Sequence, residues 1–343
     1  MVNDRSPIGH ELSETMMGRA IARAAHSRLL APPNPWVGAV LVCDDGTSFE
    51  GGTQRPGDRH AERMVLDRAG SRARGATLYV TLEPCSHTGR TGPCVGAIIE
   101  AQVGAVVVAV LDPDHRVAGT GVSQLRDAGI EVTVGPGAQA VQQQLRPYLH
   151  HRVTGRPWVI NKIASTIDGR TAAPDGTSQW ITGPEARADA HRLRAESDAI
   201  LVGAGTVRSD NPRLTVRNVT APDGLPPREP RRIVLGSAPA DARIHPCTEY
   251  RGDLGALLDR LGSEGILQLM LEGGARVAHA FHSERLINLY VHYLAAAVMG
   301  GSDGSPVFDG IGAATISDLW RGQVASIAQL GDTLRVDILP IPD

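Results

Sequence analysis

The chain has 343 residues, of which 42% are hydrophobic and 21% charged, and its formal net charge is −3. This composition is typical of a globular protein and excludes a largely disordered chain. The net charge argues against a general nucleic-acid binder, and no apolar run is long enough to span a membrane. The length predicts two domains. The polar opening residues show no secretory signal, so we expect a cytoplasmic protein with reduced thiols.

Helix-like and strand-like segments alternate through the first part of the chain. Apolar residues at helical spacing predict helices, and short apolar runs predict strands. The helices are predicted at 13–27, 61–69, 92–102 and 122–129, and the strands at 37–42, 76–82, 105–111 and 130–135. A polar helix over 138–153 then leads to the stretch TGRPW, which is the best candidate for a domain boundary. We therefore predict a layered α/β domain in residues 1–150.

A second alternating set fills residues 151–343 and predicts another α/β domain. Strands are predicted at 158–166, 199–203, 231–236, 266–274, 288–298 and 333–340, and helices at 184–197 and 275–284. A Pro-rich stretch at 218–230 is predicted to be a surface loop.

Two of the four cysteines, Cys85 and Cys94, stand nine positions apart in the stretch TLEPCSHTGRTGPC. In a reducing compartment such a pair indicates metal binding or catalysis. His60 and Glu62 stand two apart at a predicted helix start, and residues at that spacing point in different directions. We predict that His60, Cys85 and Cys94 bind zinc, which accepts imidazole and thiolate ligands and keeps a fourth position for water at catalytic sites. Cys43 is predicted to be buried filler, and Cys247 is given no role.

This arrangement predicts a zinc deaminase, whose usual pattern is H-x-E followed by P-C-x-x-C. Zinc would activate water, and Glu62 would carry protons to the ring and to the departing ammonia. Asn34 is a candidate for reading a pyrimidine edge, and His87 and Arg90 are candidates for a substrate phosphate, although solvated loop residues would look the same. A closed structural zinc site with a fourth ligand such as His87 remains an alternative.

The stretches PNPWVGAV, HAE and TLEPCSHTGRTGPC resemble the bifunctional riboflavin-biosynthesis deaminase–reductase family. In the second half KIASTIDGRTAAPDGTSQWITGPEAR, SDAILVGAGTVRSDNPRLTVR and LEGGARVAHAF are similar to the pyrimidine reductase domain of that family. The resemblance implies a cytidine-deaminase-like three-layer α/β/α domain followed by a dihydrofolate-reductase-like domain, with Zn²⁺ and NADPH as cofactors. It also implies deamination of 2,5-diamino-6-ribosylamino-4(3H)-pyrimidinone 5′-phosphate, then reduction to 5-amino-6-(5-phosphoribitylamino)uracil.

Several residues of the second half are candidates for binding the reductase cofactor. The strand–Gly-Gly–helix pattern at Gly273, Gly274 and Ala275 suits a pyrophosphate, because backbone N–H groups are exposed at a helix start. A plain turn would use the same glycines. The resemblance implies cofactor contacts at Ala164, Trp180, Thr206 and Asp210. Ser237 is a candidate contact for the 2′-phosphate or the adenosine. Trp180 could equally be a core aromatic residue.

Substrate contacts in the reductase half are implied at Ser178, Arg194, Leu214, Arg217 and Glu272. For Arg194 a solvated basic helix face is the competing interpretation. Lys162 stands inside an apolar strand, and a lysine is rarely buried without a task, so we expect it to polarise the substrate or contact its phosphate. We also expect a homo-oligomer, either a dimer or a tetramer.

Two alternatives to this bifunctional enzyme stay open at the level of the sequence. Asp58, Arg59 and Thr88 depart from the pattern of the family. An active deaminase with a silent or repurposed reductase half is therefore one alternative. A zinc-stabilised nucleic-acid-binding module is the other, although the charge and the 3% aromatic content speak against it.

Overall fold

The computed structural model of the chain describes residues 7–86, 92–114 and 117–341. The chain forms two compact units, and each is described by itself. The first consists of Met1–Thr154 and Thr220–Leu225, and the second of Gly155–Val219 and Pro226–Asp343. No helix in the described ranges is long and apolar enough to cross a membrane.

The first unit is built on a five-stranded mixed sheet. Its strands are β1 (Gly38–Val42), β2 (Ser48–Gly52), β3 (Thr77–Leu82), β4 (Ala105–Val110) and β5 (Glu131–Val134). Its helices are α1 (Pro7–Ser27), α2 (Ala61–Ala69), α3 (Cys94–Glu100), α4 (Thr120–Asp127), α5 (Ala138–Gln144) and α6 (Arg146–Thr154). The order is β2-β1-β3-β4-β5, in which β1 runs antiparallel to β2 and β3, and β3, β4 and β5 are parallel.

Helices cover both faces of this sheet, and small residues in β2 allow them to approach closely. A Cβ on Gly51 would lie 2.8 Å from the Ala61 carbonyl oxygen in α2. A Cβ on the next residue, Gly52, would lie 3.0 Å from the Arg23 carbonyl oxygen in α1. Because successive strand residues point to opposite faces, α1 and α2 lie on opposite sides. The first unit is therefore a three-layer α/β/α structure, as predicted.

The second unit is built on an eight-stranded sheet. Its strands are β6 (Trp158–Thr166), β8 (Ala199–Gly203), β9 (Arg231–Leu235), β10 (Thr248–Tyr250), β11 (Gln268–Leu271), β12 (Leu289–Ala295), β14 (Gly322–Leu330) and β15 (Thr333–Pro340), and a separate pair is β7 (Arg170–Ala172) with β13 (Ser305–Pro306). The helices are α7 (Pro184–Ala195), α8 (Ala204–Asp210), α9 (Leu254–Ser263) and α10 (Ala275–Ser283).

The strand order places six parallel strands side by side. The order is β10-β9-β8-β11-β6-β12-β15-β14, and the six strands from β10 to β12 are parallel to one another. The carboxyl ends of these strands meet at one edge of the sheet, which is where open α/β sheets bind ligands. β15 and β14 then continue the sheet in antiparallel orientation. The predicted α/β class is confirmed for both halves.

Some elements differ from the sequence-based prediction. The polar helix expected over 138–153 is two helices, α5 and α6, which meet at Leu145. The prediction omitted α9, although its buried Leu254, Leu257, Leu258 and Leu261 follow helical spacing. It also omitted β14, which is largely exposed and whose two-residue alternation is interrupted by a bulge between Val324 and Ser326.

Candidate active sites

Three elements of the first unit bring the predicted zinc ligands together. His60 precedes α2 as its N-cap, Cys85 follows β3, and Cys94 is the first residue of α3. The His60 Nδ1 atom lies 3.3 Å from the Cys94 Sγ atom and 3.7 Å from the Cys85 Sγ atom. Their potential ligand atoms all lie within 4.8 Å of one another. One imidazole and two thiols at this spacing fit a zinc ion, which prefers these donors.

Hydrogen bonds prepare Cys85 for metal binding. The Cys94 backbone N–H donates to the Cys85 sulfur over 3.3 Å. Hydrogen bonds from the Cys94 thiol and from the His60 ring lower the pKa of Cys85 to about 4, although burial opposes the shift. Cys85 is therefore a thiolate at neutral pH, and the thiolate is the form that binds zinc.

Glu62 lies beside this cluster in the first turn of α2 and is buried, with 4% of its surface exposed. Burial is the largest influence on Glu62 and raises its pKa, while the charge of His60 acts in the opposite direction. A carboxyl group with a raised pKa holds its proton more readily than an exposed one, which favours a role as general acid–base.

An open cleft of about 900 Å³ borders the cluster, with His60 and Cys94 on its wall. Asp58 and Arg59 line it too. Asn34 is half-buried in the turn before β1, where its backbone N–H donates to Ala31. His87 and Arg90 lie outside the described residues. The predicted phosphate contact of the deaminase half therefore stays a prediction.

In the second unit two strand-to-helix turns meet at the carboxyl edge of the sheet. β8 leads into α8, and the adjacent β11 leads to α10, whose N-cap is Gly274. The Gly274 N–H donates to the Thr206 hydroxyl oxygen over 3.2 Å, which joins the two turns. A Cβ on Gly273 would lie 2.7 Å from the Val277 Cβ, so the turn has no room for a side chain. Such a bare turn at a helix start fits a nucleotide pyrophosphate.

The other predicted cofactor residues are distributed around this edge. Ala164 lies near the carboxyl end of β6, and Ser237 follows β9, where it accepts a hydrogen bond from Arg251. Asp210 is exposed at the end of α8. Trp180 is 65% exposed, with the Arg187 guanidinium 4.7 Å from its ring centroid. The interpretation of Trp180 as a core aromatic residue is therefore wrong, and an exposed ring remains free to contact a cofactor.

Arg194 and Glu272, both predicted to bind substrate, bind each other. The Arg194 Nε and Nη2 atoms donate to the two Glu272 carboxylate oxygens over 2.8 and 2.9 Å. The Arg194 Nη1 atom also donates to the Thr215 carbonyl over 2.7 Å. Arg194 is 8% exposed, so its interpretation as part of a solvated face is wrong. The pair fixes the segment that carries Leu214 and Arg217, and Arg217 itself is exposed.

Lys162 points to the same region from the centre of the sheet. Its Nζ atom lies 5.8 Å from the centroid of the Tyr293 ring, and Glu272 and Arg194 both influence its charge. Burial lowers the pKa of Lys162. Ser178 is half-buried before Trp180. A lysine held between a carboxylate and an apolar sheet can polarise a bound polar group.

The sequence reasoning missed His191, which lies on α7 next to this pair. Its Nδ1 atom lies 3.3 Å from the Arg194 Nη1 atom and 3.3 Å from the Arg217 backbone nitrogen. The signal was present, because His191 and Arg194 stand three apart on a predicted helix and so share a face.

Comparison with known proteins gives a consistent result over nearly the whole chain. Residues 10–110 match the cytidine and deoxycytidylate deaminase zinc-binding region, and residues 157–335 match the RibD C-terminal domain. The riboflavin biosynthesis protein RibD of Mycobacterium tuberculosis is 42% identical over 341 residues, covering 94% of this chain and 96% of the relative. The RibD of Chlamydia muridarum is 43% identical over 326 residues, covering 85% and 87%.

Solved structures agree with these relatives. A structure of Acinetobacter baumannii RibD has a TM-score of 0.91 and 34% identity, and the match covers 97% of this chain and all of the other. A Thermotoga maritima diaminohydroxyphosphoribosylaminopyrimidine deaminase/5-amino-6-(5-phosphoribosylamino)uracil reductase has a TM-score of 0.86 and 32% identity over the same share. The chain therefore belongs to the RibD family of riboflavin biosynthesis proteins, with a zinc-binding deaminase region followed by a RibD C-terminal domain.

Proposed function

We propose that the protein catalyses two successive steps of riboflavin biosynthesis, a zinc-dependent deamination followed by an NADPH-dependent reduction. The substrate of the first step is 2,5-diamino-6-ribosylamino-4(3H)-pyrimidinone 5′-phosphate, and the product of the second is 5-amino-6-(5-phosphoribitylamino)uracil. The observation that carries the proposal is the His60–Cys85–Cys94 cluster beside the buried Glu62, in a chain that also keeps the bare Gly273–Gly274 turn.

Deamination uses the first unit. Zinc held by His60, Cys85 and Cys94 supplies Lewis-acid activation of water. Glu62 accepts a proton at its carboxylate and returns protons to the ring nitrogen and to the departing ammonia. Its raised pKa suits this exchange, because burial makes the carboxyl group hold a proton more readily than an exposed one does. Asn34 is proposed to bind the pyrimidine edge, and His87 and Arg90 its phosphate.

Reduction uses the second unit. NADPH supplies the hydride, and the residues of the chain bind and orient it. Gly273, Gly274, Ala275 and Thr206 would hold the pyrophosphate, and the other proposed cofactor contacts are Ala164, Trp180, Asp210 and Ser237. The proposed substrate contacts are Lys162, Ser178, Leu214, Arg217 and the Arg194–Glu272 pair. The described geometry supports Arg217 most directly as a phosphate contact, because it is an exposed cation beside a rigid buried pair.

The two alternatives are less well supported. A silent reductase half is not favoured, because the match to the RibD C-terminal domain spans residues 157–335 and the glycine turn is intact. A nucleic-acid-binding module does not agree with the membership of the RibD family. We keep residues 1–150 as the proposed deaminase domain and 151–343 as the proposed reductase domain. A cytoplasmic location would keep the zinc-binding thiols reduced.

We also propose a homo-oligomer that forms through the edge strand β14. A bulge between Val324 and Ser326 places Val324 opposite Ile338 and Ile327 opposite Val336. Directly paired residues share a face, and Ile338 and Val336 stand two apart, so Val324 and Ile327 lie on one face of the strand. They are 54% and 64% exposed. A second copy of the chain that packs along this edge strand would cover the two apolar side chains, since exposed edge strands invite pairing.

The proposed reactions can be tested by mass spectrometry of the diaminopyrimidine substrate incubated with the protein. Without NADPH we expect only the deaminated product, which is about 1 Da heavier because an amino group is replaced by oxygen. With NADPH we expect the ribityl product, which carries two further hydrogens. Failure to detect the first product would refute the deaminase assignment, and its accumulation in the presence of NADPH would refute the reductase assignment.

A further inference from the structure

Glu83, two residues before the zinc ligand Cys85, carries a buried carboxylate that the proposed reaction does not use. It is 3% exposed. Its Oε2 atom accepts hydrogen bonds from the backbone N–H groups of Asp112 and Gly119 over 3.2 and 3.0 Å. Its Oε1 atom accepts a third from the Val122 N–H over 3.0 Å. A buried carboxylate needs such partners, because its desolvation is otherwise costly.

These three donors come from the loop after β4 and from the start of α4, so one side chain ties the end of β3 to two other segments. Gly119 is the N-cap of α4, and a carboxylate is favoured at a helix N-terminus by the helix dipole. The Glu83 backbone N–H also donates to the Val110 carbonyl over 2.9 Å. Both the main chain and the side chain of Glu83 are therefore fixed.

Helix α4 packs directly on the residue between Glu83 and Cys85. A Cβ on Gly121 would lie 2.3 Å from the Pro84 carbonyl oxygen and 3.1 Å from the Glu83 Oε1 atom. The first of these distances is closer than real Cβ atoms approach another atom. The first turn of α4 therefore packs against Glu83 and Pro84, and glycine at position 121 allows the helix to approach the Pro84 carbonyl so closely.

Glu83 and Pro84, which this turn holds, lie immediately before the zinc ligand Cys85 in the chain. Cys85 is held on its other side by α3, because its carbonyl accepts from the Val95 N–H over 3.2 Å and its sulfur from the Cys94 N–H. We propose that Glu83 is a positioning residue of the deaminase site. By fixing itself and Pro84 against α4, it holds Cys85 within reach of His60 and Cys94. The inference rests on the proposed zinc site.

The direct test is zinc binding by the full-length Glu83→Gln protein. Glutamine keeps the size of the side chain but presents one N–H₂ group to backbone N–H donors, so at least one hydrogen bond is lost. We expect zinc affinity to fall about 10-fold, as is common when groups that support metal ligands are changed. Competition with a chromophoric chelator measures the affinity, and the cobalt-substituted protein reports the ligand geometry through its thiolate-to-cobalt absorption bands.

Two further variants separate the packing of α4 on Pro84 from the charge of the Glu83 side chain. Glu83→Asp keeps the carboxylate, so it should restore part of the zinc affinity. Gly121→Ala keeps every hydrogen-bonding group but pushes on the Pro84 carbonyl, and it should weaken zinc binding as Glu83→Gln does. Unfolding of each protein is followed in parallel, so that zinc affinity is compared among folded proteins.

Glu50→Gln is the matched control. It makes the same chemical change in the first unit, where Glu50 on β2 accepts hydrogen bonds from Arg19 and Arg23 of α1. We expect it to bind zinc as the unchanged protein does. The proposal is wrong if Glu83→Gln leaves zinc affinity within about twofold and the cobalt spectrum unchanged. It is also wrong if Glu50→Gln weakens zinc equally. Absence of zinc binding by the unchanged protein would instead refute the metal site itself.

Discussion

Glu62 illustrates how burial decides a role at the scale of one residue. It stands in the first turn of α2 beside a ligand, yet the cluster of potential ligand atoms consists of His60, Cys85 and Cys94. Glu62→Gln preserves size and polarity but removes the exchangeable proton. We expect zinc to be retained and ammonia release to fall by about 10²- to 10⁴-fold, which is the usual contribution of a general acid–base. Metal analysis and an ammonia assay measure the two effects.

The reductase activity of the Glu62→Gln protein provides its internal control. The assay starts from the deaminated intermediate and NADPH, and we expect it to be unchanged, because Glu62 belongs to the first unit. If the variant still releases ammonia at the original rate, Glu62 is not the proton carrier.

His191 is a second residue whose state follows from its partners. Both groups at its Nδ1 atom, the Arg194 guanidinium and the Arg217 N–H, are donors, so Nδ1 carries no proton. Burial, followed by the charges of Arg194 and Arg217, lowers the pKa of His191 to about 4. We expect His191→Leu to raise the KM for the phosphorylated substrate severalfold while the KM for NADPH stays constant. His191→Asn offers an acceptor oxygen, so its KM for the phosphorylated substrate should return most of the way to that of the unchanged protein.

The lowered pKa of His191 also predicts a pH dependence of stability. An unfolded histidine titrates near pH 6.5, whereas folded His191 titrates near pH 4. Between these values the unfolded state binds the extra proton, so this group destabilises the fold as the pH falls. Above pH 6.5 it has no effect. The free energy of unfolding of the second unit, measured with urea, should therefore fall more steeply below pH 6.5 in the unchanged protein than in His191→Asn. Equal slopes of this free energy against pH would contradict the assignment.

At the scale of elements, the turn between β11 and α10 makes a specific prediction for the cofactor. Gly274 has φ −68° and ψ 176°, which valine adopts easily, and a Cβ there would lie 3.5 Å from the Thr206 Oγ1 atom. Gly274→Val should therefore fold, but its methyl groups would cover the N–H groups of the turn. We expect the KM for NADPH to rise about 10-fold, equivalent to about 1.4 kcal/mol of binding free energy.

Thr206→Val is the companion variant, because it keeps the shape of the side chain and removes only the acceptor of the Gly274 N–H. It should also weaken NADPH binding. Deamination should be unchanged in both proteins. Unaltered NADPH kinetics in Gly274→Val would remove this turn from the cofactor site.

The elements that the sequence predicted well are those with a strong local pattern. The strand over 158–166 and the helix over 61–69 agree with β6 and α2 at both ends, because an apolar run and a helical repeat mark them. The strand β14 could not be predicted in this way, since the bulge between Val324 and Ser326 interrupts the two-residue alternation. The zinc ligands were predictable because their chemistry is restricted to a few residue types.

The contacts that support the sites were harder to predict. The hydrogen bonds that Glu83 accepts from residues 112, 119 and 122 depend on how β4 and α4 pack beside β3, which no local sequence pattern shows. Arg194 is a similar case, because its partner Glu272 lies 78 positions away. The sequence indicated which groups carry the chemistry, and the fold was needed to see which groups hold them.

At the scale of the whole molecule, the proposed assembly through β14 can be tested by changing one face of that strand. A single charge on the apolar face of β14 should prevent a second copy from binding there, because an unpaired charge is costly to bury. We expect Ile327→Lys to convert the oligomer to a monomer in size-exclusion chromatography with light scattering. Gln323→Lys adds the same charge to the same strand, but Gln323 pairs with Leu339 and so lies on the other face. That protein should keep the oligomeric state of the unchanged protein. A monomeric unchanged protein, or an Ile327→Lys protein that still assembles, would exclude this face as the interface.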